Sequence, residues 1–165
     1  MIKVIAFDLF GTVFDMSGVD KSEIRAYLEH IRKPEWEPLT LPEGWTQLKA
    51  FPDAQEGIRR LGNKHWLTSL SNAPILLQCR LCLANGLSLH MLSPLEVAHV
   101  YKPNPRAYMT VCDIFQCEPA NVMMVTANKD FGDLEASAAL GMTPMLIRNG
   151  DGPKTIIELA EQLGC

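Results

Sequence analysis

The sequence predicts an α/β protein: a parallel sheet with helices on both faces. Short apolar runs rich in β-branched and aromatic residues recur along the chain, and segments of helical periodicity separate them. Strand, helix, strand, helix in succession is the signature of a parallel sheet covered on both sides. The chain has 165 residues, 47% of them hydrophobic, which fills one domain with a sizeable core.

Each element has its own signal. Residues 3–8 form a short apolar run that ends at Asp8 and turns at Gly11 and Thr12, so they read as a buried strand. Residues 22–31 read as a helix, with Ile24, Tyr27, Leu28 and Ile31 at helical spacing. Between 33 and 45, Pro34, Pro38, Pro42 and Gly44 exclude a regular element, and Trp36 and Trp45 point to a packed loop. A helix is expected from Asp53 to about 61, with Asp53 as its N-cap. Strands are then expected at 65–71, 88–93, 121–126 and 143–147. Helices are expected at 74–84, 105–115, 132–140 (ended by Gly141) and 153–163, the last with Pro153 near its first turn.

Composition narrows the function classes. The net charge is −4 and no dense Lys/Arg run occurs, which argues against a nucleic-acid partner. The five cysteines (Cys79, Cys82, Cys112, Cys117, Cys165) have no zinc-type pairing and read as free thiols in a reducing cytoplasm. Asp8 interrupts the apolar start, so no secretory signal is expected, and the apolar runs are too short for a membrane partner.

Right-handed crossovers bring the C-terminal ends of parallel strands to one edge, where such sheets bind ligands. Four polar groups fall at that edge. Asp8 and Thr12 follow the first strand, and Ser71 and Asn72 follow the second. Lys102 precedes the 105–115 helix, and Asn128, Asp130 and Asp133 follow the 121–126 strand. Each alone has an ordinary explanation as a cap or a solvated charge. Their convergence does not.

The segments FDLFGTVFD, LSN, YKPNPRAY and VTANKDFGDLEASAALGM, in this order, resemble the four motifs of the haloacid dehalogenase superfamily of hydrolases. The resemblance covers residues 1–16 and about 50–150. It implies a Rossmann-like core, residues 1–16 and 48–165, with a small helical and loop cap inserted at 17–47. It further implies that Asp8 is a nucleophile forming a covalent aspartyl intermediate and that Thr12 orients it. By the same likeness Ser71 binds the substrate's anionic group, Lys102 offsets charge, and Asp133 holds the lysine, helps activate water, or supports a metal. A carboxylate nucleophile must be oriented and ionised, and an adjacent ammonium favours its charged form.

Phe10 separates two chemistries within this resemblance. Phosphatases of the superfamily carry an aspartate there, which protonates the leaving alkoxide. Positioned acid–base catalysis contributes about 10²–10⁴ in rate, and phenylalanine supplies none of it. A halide leaves without a proton, and the dehalogenases proper carry an aromatic residue at this place. Asn72 then resembles the asparagine that receives the halide. Asn128 takes the place of the usual magnesium-ligating acid, and a neutral amide is the weaker ligand for a hard dication. Asp130 departs from both patterns and is able to stand in for metal charge.

The likeness therefore implies a 2-haloacid dehalogenase acting on a small molecule without a cofactor. The alternatives are a magnesium-dependent phosphatase for substrates with good leaving groups, with Asp8 and Asp133 as metal ligands, or a non-catalytic binding protein. The family's cap supplies an anion-binding arginine. In the short insertion only Arg25 and Arg32 are available, and Arg25 is the expected choice. So small a cap leaves the site open to a larger substrate or to cover by the second subunit of a homodimer.

Overall fold

The structure, a computed structural model, describes residues 1–165. Four parallel strands, β1 (Val4–Phe7), β2 (Trp66–Ser69), β3 (Val122–Thr126) and β4 (Thr143–Leu146), form one sheet in the order β2-β1-β3-β4. Val4 stands opposite Trp66 on one side and Val122 on the other, and Phe7 opposite Ser69 and Val125. The central strands β1 and β3 are buried throughout.

Alternation along these strands builds two cores, one per face. Ile5, Phe7, Met123 and Val125 join the larger core, packed with residues of α2 (Ala54–Leu61), α3 (Ile75–Ala84) and α7 (Ile156–Gln162). Val4, Ala6, Val122 and Met124 join the other, under α4 (Leu95–Ala98) and α5 (Pro105–Phe115). Burial of both faces is why these strands read as continuous apolar runs. At Gly57 the helices α2 and α7 touch so closely that an added Cβ would fall 2.6 Å from Ile156 Cγ2.

Several local expectations are corrected. Residues 88–93 form no strand of the sheet; only Met91 bridges Thr68. Main-chain bonds link Leu67 and Ser69 to His90 and Met91, and side chains fill two further ladder positions. His90 Nδ1 accepts the Leu67 N–H at 2.9 Å, and Ser69 Oγ accepts the Ser93 N–H at 2.8 Å. The last helix begins at Ile156, and Thr155 caps it by accepting the Glu158 N–H, so Pro153 lies outside it. Asp53 stands at the N-cap position of α2, as expected, but its side chain makes no capping bond. Its carboxylate instead takes both arms of the Arg148 guanidinium at 3.0 Å and the Ile156 N–H at 2.6 Å. The proline-rich stretch ends in a short 3₁₀ turn, Glu43–Gln47, that buries Trp45.

Residues 17–47 contribute α1 (Lys21–Ile31), started by Asp20, whose side chain accepts the Ser22 N–H at 2.7 Å. Trp45 Nε1 donates to Glu23 of this helix at 2.9 Å. The Phe10 ring meets Tyr27 and Trp45 edge-on, at centroid distances of 5.8 and 5.0 Å. Phe10 thereby fastens α1 and the Trp45 turn to the sheet edge.

Candidate active site

Asp8 sits one residue beyond β1, and its N–H still donates to Val125 of β3 at 2.9 Å. The ladder thus fixes the backbone of the acid itself. The chain then turns sharply, with Gly11 at φ 78°, a region open to glycine, and with the amides of Val13 and Phe14 both donating to Leu9 O. The turn brings Thr12 back onto Asp8. Thr12 Oγ1 donates to Asp8 Oδ2 at 3.1 Å and accepts the Ala127 N–H at 2.8 Å, so one hydroxyl ties the β1 turn to the loop after β3.

Lys102 reaches the same place from the segment before α5. Its Nζ lies 3.0 Å from Asp8 Oδ1 and 3.0 Å from Asp133 Oδ2. Asn72 pins the lysine's backbone from both sides: Lys102 N–H donates to Asn72 Oδ1 at 2.7 Å, and Asn72 Nδ2 donates to Lys102 O at 3.3 Å. Asp133 opens α6 (Asp133–Ala139) after Gly132, whose φ is 84°. The Tyr108 hydroxyl of α5 donates to Asp133 Oδ1 at 2.5 Å. Asn128 Nδ2 bridges Asp8 Oδ2 at 2.6 Å and Phe10 O at 3.0 Å.

All three charges are buried: Asp8 is 6% exposed, Lys102 6% and Asp133 2%. Burial raises the pKa of Asp8, and the negative Asp133 pushes the same way. Lys102 and the Thr12 hydrogen bond oppose them without cancelling them. This corrects the simpler expectation that the ammonium dominates. Burial also works against the charge on Lys102, but Asp133 and Asp8 together outweigh it and raise its pKa, so the lysine stays protonated. Burial and then Asp133 keep the Tyr108 hydroxyl protonated and donating.

A cavity of about 320 Å³ opens onto this centre. Asp8, Phe10, Lys102, Asn128 and Asp133 form its floor. Tyr27, Leu28, Ile31 and Arg32, from α1 and its end, form the opposite wall, and Asp130 and Phe131 also line it.

The donors around Asp8 bear on whether a divalent cation fits. Asp8 Oδ1 faces an ammonium, and Oδ2 faces a hydroxyl and an amide NH₂. The Asn128 NH₂ lies between the Asp8 carboxylate and the Phe10 carbonyl, two oxygens a metal would otherwise use. No three His, Cys, Asp or Glu side chains come together in a metal-binding group, so Asp130 does not join Asp8 and Asp133. As arranged, hydrogen-bond donors occupy both carboxylate oxygens of Asp8.

No protein-family model matches the chain, and neither does any curated protein. Solved structures do. An L-2-haloacid dehalogenase superposes with a TM-score of 0.82 over 99% of each chain at 22% identity. An L-2-haloacid dehalogenase from Xanthobacter autotrophicus with chloropropionic acid covalently bound gives 0.72, over 92% of this chain and 80% of that one, at 20% identity. A HAD phosphatase from Thermococcus onnurineus gives 0.75, over 99% and 98%, also at 20% identity. The chain has the haloacid dehalogenase-like fold.

Within this HAD-like fold the sequence-derived residues divide. Asp8, Thr12, Lys102, Asp133 and Asn128 meet in one bonded cluster. Phe10 and Asn72 line the cavity, and Asn72 is in addition the clamp on Lys102. Ser71 is 1% exposed and off the cavity wall. Its oxygen accepts the Ala73 N–H at 3.1 Å, a local turn bond that serves the chain before α3. Arg25 is a correction: it is exposed on α1, away from the cavity, whereas Arg32 lines it. The two differ by seven positions, but α1 ends at Ile31, so Arg32 lies beyond the helix and is not bound to the face that carries Arg25.

Sequence reasoning missed Tyr108 and Tyr27. Both sit at apolar positions of helical spacing and read as core, and only the position of Asp133 and of the cavity gives them polar work.

Proposed function

We propose that the chain is a HAD-like hydrolase that cleaves a carbon–halogen bond in 2-haloacids through an ester of Asp8. The observation that carries this reading is the pairing of Asp8 with Phe10. The carboxylate is held by three donors, and the side chain beside it in the cavity has no proton to give. Asp8 displaces halide from C2 of the acid, forming an ester and freeing the halide without proton transfer. Water then attacks the ester, yields the 2-hydroxy acid and restores Asp8. Asp133, oriented by Tyr108 and Lys102, receives the proton that the water loses.

The remaining roles follow from position. Arg32 anchors the substrate carboxylate in the place expected of Arg25. Asn72 and Tyr27 offer polar contact to the departing halide, and Ser71 acts through the turn that carries Asn72. Residues 17–47 act as the cap on the 1–16 and 48–165 core, with α1 closing the cavity in place of a second subunit. The donor set around Asp8 supports action without a cofactor. The free cysteines fit a reducing cytoplasm, and no helix is long and apolar enough to cross a membrane.

A paired assay tests the reading. Chloride release from 2-chloropropionate without metal, lost in Asp8→Ala, is the expected result. Magnesium-dependent phosphate release from a phosphoester panel, without chloride release, overturns it in favour of a phosphatase. Silence of folded protein in both assays favours a binding role.

A further inference from the structure

Two charged side chains of the cavity stand outside the bonded cluster around Asp8: Arg32, assigned above to the substrate carboxylate, and Asp130, which has no role there. Arg32 and Asp130 both line it, both are exposed, and neither has a hydrogen-bonding or ionic partner within the chain for its side chain. The charged side chains of the cavity are three carboxylates, Asp8, Asp130 and Asp133, against two cations, Lys102 and Arg32. Lys102 is committed to Asp8 and Asp133. A haloacid adds one carboxylate, which takes Arg32. Asp130 is then left facing a bound anion with no cation of the protein to offset it. Lys129, next in sequence, is exposed and does not line the cavity.

Asp130 is also tethered close to the reacting centre. It lies between Asn128, bonded to Asp8, and Asp133, bonded to Lys102 and Tyr108. Two residues of chain reach at most about 7 Å, so Asp130 stays within a few methylene lengths of the reacting centre. Leu28, Ile31 and Phe131 supply apolar wall in the same cavity.

From this juxtaposition, and resting on the dehalogenase reading, we propose that Asp130 is a specificity residue selecting 2-haloacids whose side chain ends in a cationic amine. The carboxylate pairs with Arg32, the methylenes lie on Leu28, Ile31 and Phe131, and the ammonium pairs with Asp130. The bound ligand is a zwitterion, and the cavity as a whole gains no further negative charge from it.

The test compares kcat/KM for three acids: 2-chlorobutanoate, 2-chloro-4-(trimethylammonio)butanoate and 2-chloroglutarate. The quaternary amine cannot displace its own chloride. The wild type should prefer the cationic acid over 2-chlorobutanoate by about 1.5- to fivefold, the range of an ion pair at an exposed site. Asp130→Asn should lower kcat/KM for the cationic acid and raise it for 2-chlorobutanoate. Asp130→Lys should turn the preference toward 2-chloroglutarate. Asp130 has no internal partner to lose, so both variants should fold. Equal preference in the wild type, or a preference that survives Asp130→Asn, overturns the proposal. Titration calorimetry of the same acids on Asp8→Asn gives the order of binding without turnover. If the wild type releases no chloride from any of them, the dehalogenase reading fails, and the calorimetric order alone decides the role of Asp130.

Discussion

Lys102 Nζ stands 3.0 Å from Asp8 Oδ1 in a setting where both side chains are less than a tenth exposed, and Asp133 completes a triad of net charge −1. Removing the lysine leaves two carboxylates buried together. Breaking a buried pair by deleting one partner costs about 3–5 kcal/mol. Lys102→Met should lose that much stability in urea titration at pH 7. It should also lose about 10²–10³-fold in kcat, the scale of one well-placed electrostatic group. The stability loss should shrink in acid, where the carboxylates are protonated.

The raised pKa of Asp8 sets two pH dependences. The nucleophile must be ionised, so the acid limb of kcat/KM should lie above the ordinary aspartate range. For stability the sign is opposite. A carboxyl whose folded pKa exceeds its unfolded one favours folding most below the unfolded pKa, and this contribution is lost as pH rises through the folded pKa. The stability of the wild type relative to Asp8→Asn should therefore fall from acid toward neutral pH, as urea titrations across that window would measure.

Asn128→Asp would replace the amide that bridges Asp8 and Phe10 O with a third carboxylate. We expect Asp8 to become harder to ionise and chloride release at pH 7 to fall at least about tenfold. We also expect Mg²⁺ binding that calorimetry detects in the variant and not in the wild type. Equal Mg²⁺ binding by both proteins would count against the donor-built site described for Asp8.

Phe10→Asp should not create a phosphatase. Phe10 packs edge-on against Tyr27 and Trp45, so the change removes the aromatic link that fastens α1 to the sheet edge and leaves a charge among rings. Loss of a core phenylalanine alone costs about 3–5 kcal/mol. Thermal denaturation should show a marked loss, with the change in Trp45 fluorescence as a local readout.

Tyr108→Phe deletes the hydroxyl that donates to Asp133 at 2.5 Å. A hydrogen bond to a charged group contributes about 1.5–3 kcal/mol. Because Tyr108 acts through Asp133, ester hydrolysis should slow more than ester formation. Rapid-quench mass spectrometry should detect accumulated Asp8 ester in the variant and little in the wild type.

The α/β class, the buried central strands and the convergence of Asp8, Lys102 and Asp133 were legible because they depend on local pattern and on one topological rule. Continuous apolar runs mark strands covered on both faces, and right-handed crossovers gather their ends. The α5 boundaries matched the expectation of 105–115, since Asn104 caps it and Pro105 opens it. Residues 88–93 failed for a reason no periodicity reveals: His90 and Ser69 side chains took two of the bonds a strand would have made. Asp53 looked like a capping side chain because the sequence does not contain the position of Arg148, whose guanidinium claims it and whose Nε also holds Thr12 O at 2.8 Å. The sequence by itself determined which residue types meet at the sheet edge and that Phe10 brings no proton there. Only the tertiary structure decided that Arg32 rather than Arg25 faces the cavity, that Tyr108 holds Asp133, and that burial outweighs Lys102 in setting the pKa of Asp8. Those outcomes depend on where helices end, on distances across 25 or more residues of chain, and on the removal of water, none of which the order of residues records.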